Sequence, residues 1–461
     1  MELAYLPVTE LSALVGSRRI SPVEIVQSLL ARIGDYDGEL HTYITVCGGA
    51  ALAAARTAEA EITAGRRRGP LHGIPVCHKD NIWTQGVRTT AHSLALQDFV
   101  PETDATAVAR LARAGMVMLG KANTAEFATG GMMNHFGWCQ NPWDHGVYCG
   151  VFSSGSAAAV AAGLAVAATG SDTGGSIRMP ASFCGIVGLK PTYGRVSRHG
   201  LIPLSFSMAN IGPMTRTVAD AALLLGAMAG HDPLDPHSAV VPVPDFTAGL
   251  GRDAAGLVLG VPRQHFFDLL EPVVAEAVAA ALGQFESLGA RLEAVDLPLA
   301  SELAEASRTI VAVESYAAHR ESLGVRGHLY SERPRRSIEH GAACTPEQYA
   351  AAQGLRARWT EQVQGVLARV DALFTPTMAT ALYPVAVWLN NDTERMGPGM
   401  TYHFNLARLP ALTLPCGFTP AGHPLGLQLV GRAFDEATLF RIAHAYEQSA
   451  GWYRRRPPRY A

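Results

Sequence analysis

Between Gly170 and Arg178 the chain reads Gly-Ser-Asp-Thr-Gly-Gly-Ser-Ile-Arg, and no other segment limits its fold and chemistry as much. Small, turn-forming residues there place one hydroxyl, Ser176, directly after two glycines. Glycine accepts positive φ and lets other atoms approach the backbone closely. Consecutive exposed N–H groups in such a turn form an anion-binding nest, the raw material of an oxyanion hole. Just upstream, Ser153-Ser154-Gly155-Ser156 opens an Ala/Val/Gly stretch that reads as one tightly packed helix to Ala168. Farther upstream, Gly73-Ile74-Pro75-Val76-Cys77-His78-Lys79-Asp80-Asn81 is a strand-like apolar run ending in a lysine.

The rest of the chain alternates helical and strand patterns. Ser21-Pro22-Val23-Glu24 is a capping start, followed by Ile25, Leu29, Leu30 and Ile33 on one helical face. Residues 50–64 read as a helix. From Leu71, apolar runs at 74–76 and 117–119 alternate with a helical stretch at 105–114, which argues for an α/β layered fold. Residues 218–228 form an apolar helix, and 436–448 a closing one. Sheet signals return at 372–377 and 411–415. Residues from about 299 to 370 are charged and helical without sheet-like runs, and read as a helical insertion, a lid or substrate-facing cap. No repeat or linker divides residues 1–461, which are read as one domain.

Composition narrows the function classes. The 461 residues are 48% hydrophobic and 17% charged, enough to bury a large core and too few charges for a disordered chain. A net charge of -3 and the lack of a dense Lys/Arg stripe argue against nucleic acid. The short clusters Arg66–Arg68 and Arg454–Arg456 read as solvated surface. The start lacks a secretory pattern, and the most apolar stretch, 157–169, is too short to span a bilayer. Seven irregularly spaced cysteines suit a reducing compartment. The cytoplasm is therefore the expected location, with no membrane partner.

A serine nucleophile needs a base. A lysine can serve only if burial keeps it neutral, and Lys79 ends an apolar run where desolvation is expected. Ser–Lys pairs are a known variant of serine catalysis. The three segments, with Ser176 to Gly185 and Gly188 to Ser197 after them, resemble the amidase signature family. Gly120-Lys121-Ala122-Asn123, Glu126-Phe127, Asn141 to Asp144 and Gly426 to Arg432 look like further landmarks. The resemblance implies a central mixed β-sheet covered by helices on both faces, with the helical insertion as the divergent part. It also implies a Ser–Ser–Lys triad, whose middle serine lies in a cis peptide. Ser176 would be the nucleophile and Lys79 the base. The N–H groups of Thr173, Gly174, Gly175 and Ser176 would make the oxyanion hole. Asp172 and Arg178 read as a pair bracing the loop.

The departure lies at the middle member. The family shows Pro-Gly-Gly-Ser-Ser before the small-residue helix, whereas this chain reads Cys149-Gly150-Val151-Phe152-Ser153. A gapless count puts Phe152 at the relay serine, and Ser153 is the nearest surviving hydroxyl and the relay candidate. Other signals carry less. Gly115 to Lys121 has P-loop spacing, but Ala122 stands where a hydroxyl is needed. No Gly-x-Ser-x-Gly elbow surrounds Ser176, and no His-Glu-x-x-His or Cys-x-x-Cys pattern suggests a metal. His78 should point away from the site, while Cys77 lies on the side of Lys79 and is a candidate for the pocket lining. Cys77 or Cys184 as nucleophile is a poor second reading.

Met132, Met133, Tyr148 and Phe152, with Asn134, Trp138 and Phe206, suggest apolar surface at the site mouth, although the two methionines read equally well as core filler. The expected reaction is hydrolysis of amides, or of carbamates (urethanes), of apolar or aromatic substrates through an acyl-enzyme. No cofactor is implied. Members resembling this chain include aryl-amide, fatty-amide and carbamate hydrolases. The competing expectations are an amidotransferase A-subunit that delivers ammonia from glutamine, and a binder whose catalysis the Phe152 segment impairs. The expected partner is a small molecule, and a homodimer stays open.

Overall fold

The computed structural model describes residues 2–129, 135–390, 393–397 and 399–461. Eleven strands among them form one sheet. They are β1 (Tyr43–Val46), β2 (Pro75–Lys79), β3 (Val117–Ala122), β4 (Ala167–Asp172), β5 (Val187–Lys190) and β6 (Asn210–Thr215), then β7 (Val258–Pro262), β8 (Arg291–Val295), β9 (Ala372–Pro376), β10 (Ala411–Phe418) and β11 (Pro424–Val430). Their order across the sheet is β1-β3-β2-β4-β6-β5-β10-β11-β9-β7-β8. The sheet is mixed: β2 runs parallel to β3 and β4, while β6 returns antiparallel to β4 and β5. Strands β2, β4, β6 and β11 are buried at every residue, as a sheet covered on both faces requires.

The helices follow from their local signals. Ser21 caps Pro22–Leu40 through a reciprocal capping box with Glu24, satisfying two otherwise orphaned N–H groups. Val218–Met228 and Glu436–Ala450 lie where the apolar periodicity places them. The segment at 299–370 is helical, with Leu303–Arg326, Glu332–Glu339 and Pro346–Leu367 as its main elements. The fully buried Trp359 fastens it by donating from its indole N–H to the His403 carbonyl at 2.7 Å.

One expectation is corrected. The small-residue stretch to Ala168 is two elements, a helix Ser154–Ala161 and strand β4. Gly163 separates them at φ +68, with the Tyr5 ring 2.9 Å from where a Cβ would stand. The chain must leave the helix there, and only glycine does so without strain. Gly163→Ala is expected to lose about 1–2 kcal/mol from the left-handed backbone, with more from crowding against Tyr5. A thermal or denaturant midpoint unchanged from the parent would contradict this account of the break.

Candidate active site

Lys79 is the last residue of β2, and its neighbour β4 runs parallel beside it, with Cys77 opposite Ala168 and His78 opposite Thr169. Parallel strands deliver their carboxyl ends to one edge of the sheet, where open α/β sheets place their sites. At that edge the fully buried Lys79 donates from Nζ to Ser171 Oγ at 2.9 Å and, more weakly, to the Ser171 carbonyl at 3.5 Å. Asn81 Nδ2 donates to the same hydroxyl oxygen at 3.0 Å. Burial pushes the Lys79 amine down to about 7, against the pull of the Asp172 carboxylate. A large fraction of the amine is therefore unprotonated near neutral pH, as a general base must be.

The 173–178 turn that carries Ser176 is organised by Asp172 at the end of β4. Its carboxylate accepts from the N–H groups of Gly175 at 2.8 Å and Ile177 at 3.1 Å. It also accepts from Arg178 Nε and Nη2, both at 3.0 Å, and from Asn405 Nδ2 at 2.9 Å. Burial alone would push this carboxyl up, but the Arg178 guanidinium outweighs it and holds the group well below the usual carboxylate range. Arg178 in turn donates to the Thr401 carbonyl at 2.9 Å, Gln428 Oε1 at 2.6 Å and Asn405 Oδ1 at 2.5 Å. The expected brace between Asp172 and Arg178 is thus the core of a network reaching β11.

Gly175 has φ +131, and a Cβ there would stand 2.1 Å from Thr401 Oγ1, so the turn tolerates only glycine. Its N–H is committed to Asp172. Of the four expected oxyanion-hole residues, Thr173, Gly174 and Ser176 line the adjoining cavity.

That cavity, of about 440 Å³, has Ser176 in its wall with Phe152, Met179, Leu204, Val311 and Trp388. Its remaining polar wall comes from Thr129 and, in the 299–370 segment, from Ser307, Arg308, Ser315, Ser337 and His340, so the segment shares the cavity with Ser176. The Phe152 ring stands edge-on to Trp388, with centroids 5.9 Å apart. Tyr148, expected to meet substrate, is instead fully buried and stacked on Trp388 and Tyr383 at 4.7 and 5.2 Å. It backs the cavity wall rather than lining it, because Trp388 lies between. Met132, Met133 and Asn134 fall outside the described residues. Phe206 is half exposed and lines a different depression beside Leu234.

Ser153 is buried, and its hydroxyl donates to the Ser171 carbonyl at 3.3 Å. The hydroxyl on Lys79 itself is that of Ser171, which sequence reasoning passed over. No signal within its own segment marks it, since the contact with Lys79 arises from the pairing of β4 with β2. No cis peptide occurs among the described residues. His78 points away, as expected, with Nδ1 3.1 Å from Thr169 Oγ1. Cys77 is buried and is not part of the cavity wall; burial pushes its thiol up to about 12, the opposite of what a nucleophile needs. Among the described residues no group of three or more His, Cys, Asp or Glu is arranged to hold a metal ion, and no helix is long and apolar enough to cross a membrane.

A family model described as Amidase matches residues 24–440. The chain belongs to the amidase family. It is similar to the A-subunit of the glutamyl-tRNA(Gln) amidotransferase of Moorella thermoacetica, with 42% identity over 99% of both chains. The peptide amidase of Stenotrophomonas maltophilia superposes with a TM-score of 0.88 at 34% identity, over 98% of each chain. A bacterial aryl acylamidase does so with a TM-score of 0.87 at 27% identity, over 97% of this chain and 98% of the other. The amidase fold expected from the sequence is therefore the fold observed. Membership makes the chain an enzyme of carbon–nitrogen bonds, a hydrolase or an amidotransferase.

Because Lys79 must be neutral to accept a proton, kcat/KM should rise with pH through a midpoint near 7 and then level off. Lys79→Ala should remove both the activity and this limb. A flat parent profile from about pH 6 to 9, with chemistry rate-limiting, would contradict a lysine base.

Proposed function

We propose that this amidase-family chain hydrolyses amide bonds, and carbamates by the same route, through an acyl-enzyme on Ser176. Lys79 takes the hydroxyl proton as Ser176 attacks the carbonyl carbon, and gives it to the departing amine nitrogen. The N–H groups of Thr173, Gly174 and Ser176 stabilise the charge on the carbonyl oxygen, that of Gly175 being held by Asp172. Water then attacks the acyl-enzyme and releases the acid, or a carbamic acid from a carbamate. The observation that carries this reading is the juxtaposition at one sheet edge of a buried lysine, held near neutral charge, with a glycine-backed serine turn opening on a cavity.

Much of that cavity is apolar and aromatic, which supports an aryl or bulky apolar group on the substrate. The second reading is an amidotransferase A-subunit using glutamine, supported by 42% identity over 99% of the chain to a protein of that kind. A panel of anilides, phenyl carbamates and glutamine separates the two. The first reading predicts turnover of the aromatic substrates by the isolated chain, and loss of about a thousandfold or more in Ser176→Ala with the fold intact. Glutaminase activity, without turnover of any anilide or carbamate, would favour the second. Near-parental activity in Ser176→Ala would remove this serine from the mechanism.

Phe152 cannot donate or accept a proton and fills space beside Ser176. Restoring the family pattern with Val151→Gly and Phe152→Ser should raise turnover of simple anilides by about tenfold or more, the usual scale of general acid–base contributions. A double variant no faster than the parent would show that the aromatic ring neither displaces a needed relay nor limits access.

A further inference from the structure

We infer that Ser171 is the positioning residue for Lys79 in this chain, whose Phe152 segment carries no hydroxyl at the position where the family has its middle serine. The inference rests on the reading of Lys79 as general base. A neutral amine carries two N–H groups and one lone pair. Ser171 offers two acceptors to that amine, Oγ at 2.9 Å and the backbone carbonyl at 3.5 Å, so both N–H groups point at one residue and the lone pair is turned away from it. Asn81 Nδ2 fixes the same Oγ from a second side at 3.0 Å. Ser153 completes the cluster by donating to the Ser171 carbonyl at 3.3 Å.

Every member of the cluster is buried, so bulk water does not compete for these bonds. The charged group bearing on Lys79 is Asp172 of the same strand as Ser171, and its carboxylate is engaged by Arg178. His78, the next residue back on β2, faces Thr169. Ser171 is thus the side chain that meets the base directly. Its hydroxyl is a better acceptor for the ammonium than for the amine, so its removal should lower the charge affinity of Lys79 as well as loosen its aim.

The rate at which an alkyl fluorophosphonate modifies Ser176 reads this without a known substrate. The Ser176 oxygen forms the P–O bond, fluoride leaves, and the hydroxyl proton passes to Lys79. Rates are measured from pH 6 to 9 for the parent, Ser171→Ala and Ser171→Thr, each checked by thermal melting. Ser171→Ala should react about tenfold or more slowly at the alkaline plateau, with its midpoint moved to lower pH. Ser171→Thr, which keeps the hydroxyl, should stay within about threefold of the parent at the parental midpoint. Should Ser171→Ala not fold, Ser171→Cys, with a weak sulfur acceptor, carries the same expectation. A Ser171→Ala or Ser171→Cys plateau within about twofold of the parent, at an unmoved midpoint, overturns the inference while leaving Ser176 and Lys79 in place. A parent that does not react at all overturns the nucleophile assignment and this inference with it.

Discussion

The carboxylate of Asp172 is the point on which the site depends. It collects two backbone N–H groups from the turn that carries Ser176, two guanidinium donors and one amide donor. An isolated buried carboxylate would be costly, and a pair with Arg178 offsets this only if the remaining donors and acceptors are satisfied. Here they are satisfied by Asn405, Gln428 and the Thr401 carbonyl. Those partners come from the far end of the chain, so the 170–178 turn takes its shape only when β11 and residues 401–405 are in place. Local sequence supplies the glycine and the hydroxyl; tertiary structure supplies the aim.

The same burial that makes this pair strong makes Lys79 weakly basic. A lysine is useful as a base only where the fold removes water from it, and that leaves a stretch of sheet edge rich in buried polar groups. Ser171 accepts there from Lys79 and Asn81 through its hydroxyl and from Ser153 through its carbonyl, so several polar groups share partners in a low-dielectric site, while Asn81 Oδ1 stays without one. The buried Lys79 and the charged Asp172–Arg178 brace are therefore parts of one arrangement, set two strand ends apart in sequence and adjacent in space.

Much of this was legible in the residues. The strand-ending Lys79 and the Gly174-Gly175-Ser176 turn declare their types through period and composition, and the helices at 22–40 and 218–228 carry their own caps and apolar faces. What was not legible follows from the third dimension. The small-residue stretch breaks at Gly163, where the backbone turns left-handed and Tyr5, far away in sequence, leaves no room for a side chain. Tyr148 is aromatic and near the site in sequence, yet Trp388 comes between it and the cavity. Ser171 was overlooked because its hydroxyl meaning comes from the pairing of β4 with β2, which no single segment states. The wall residues Val311 and His340 belong to the 299–370 segment, whose helices pack on one another, and no local signature brings them to the cavity.

The most direct test of the account is the location of a covalent adduct. After reaction of the folded chain with an alkyl fluorophosphonate, digestion and peptide mass mapping should place a single phosphonyl group on Ser176, and Ser176→Ala should carry none. A stoichiometric adduct on another residue, or none on a chain shown to be folded, would contradict the claim that the Asp172-braced turn presents the nucleophile to Lys79.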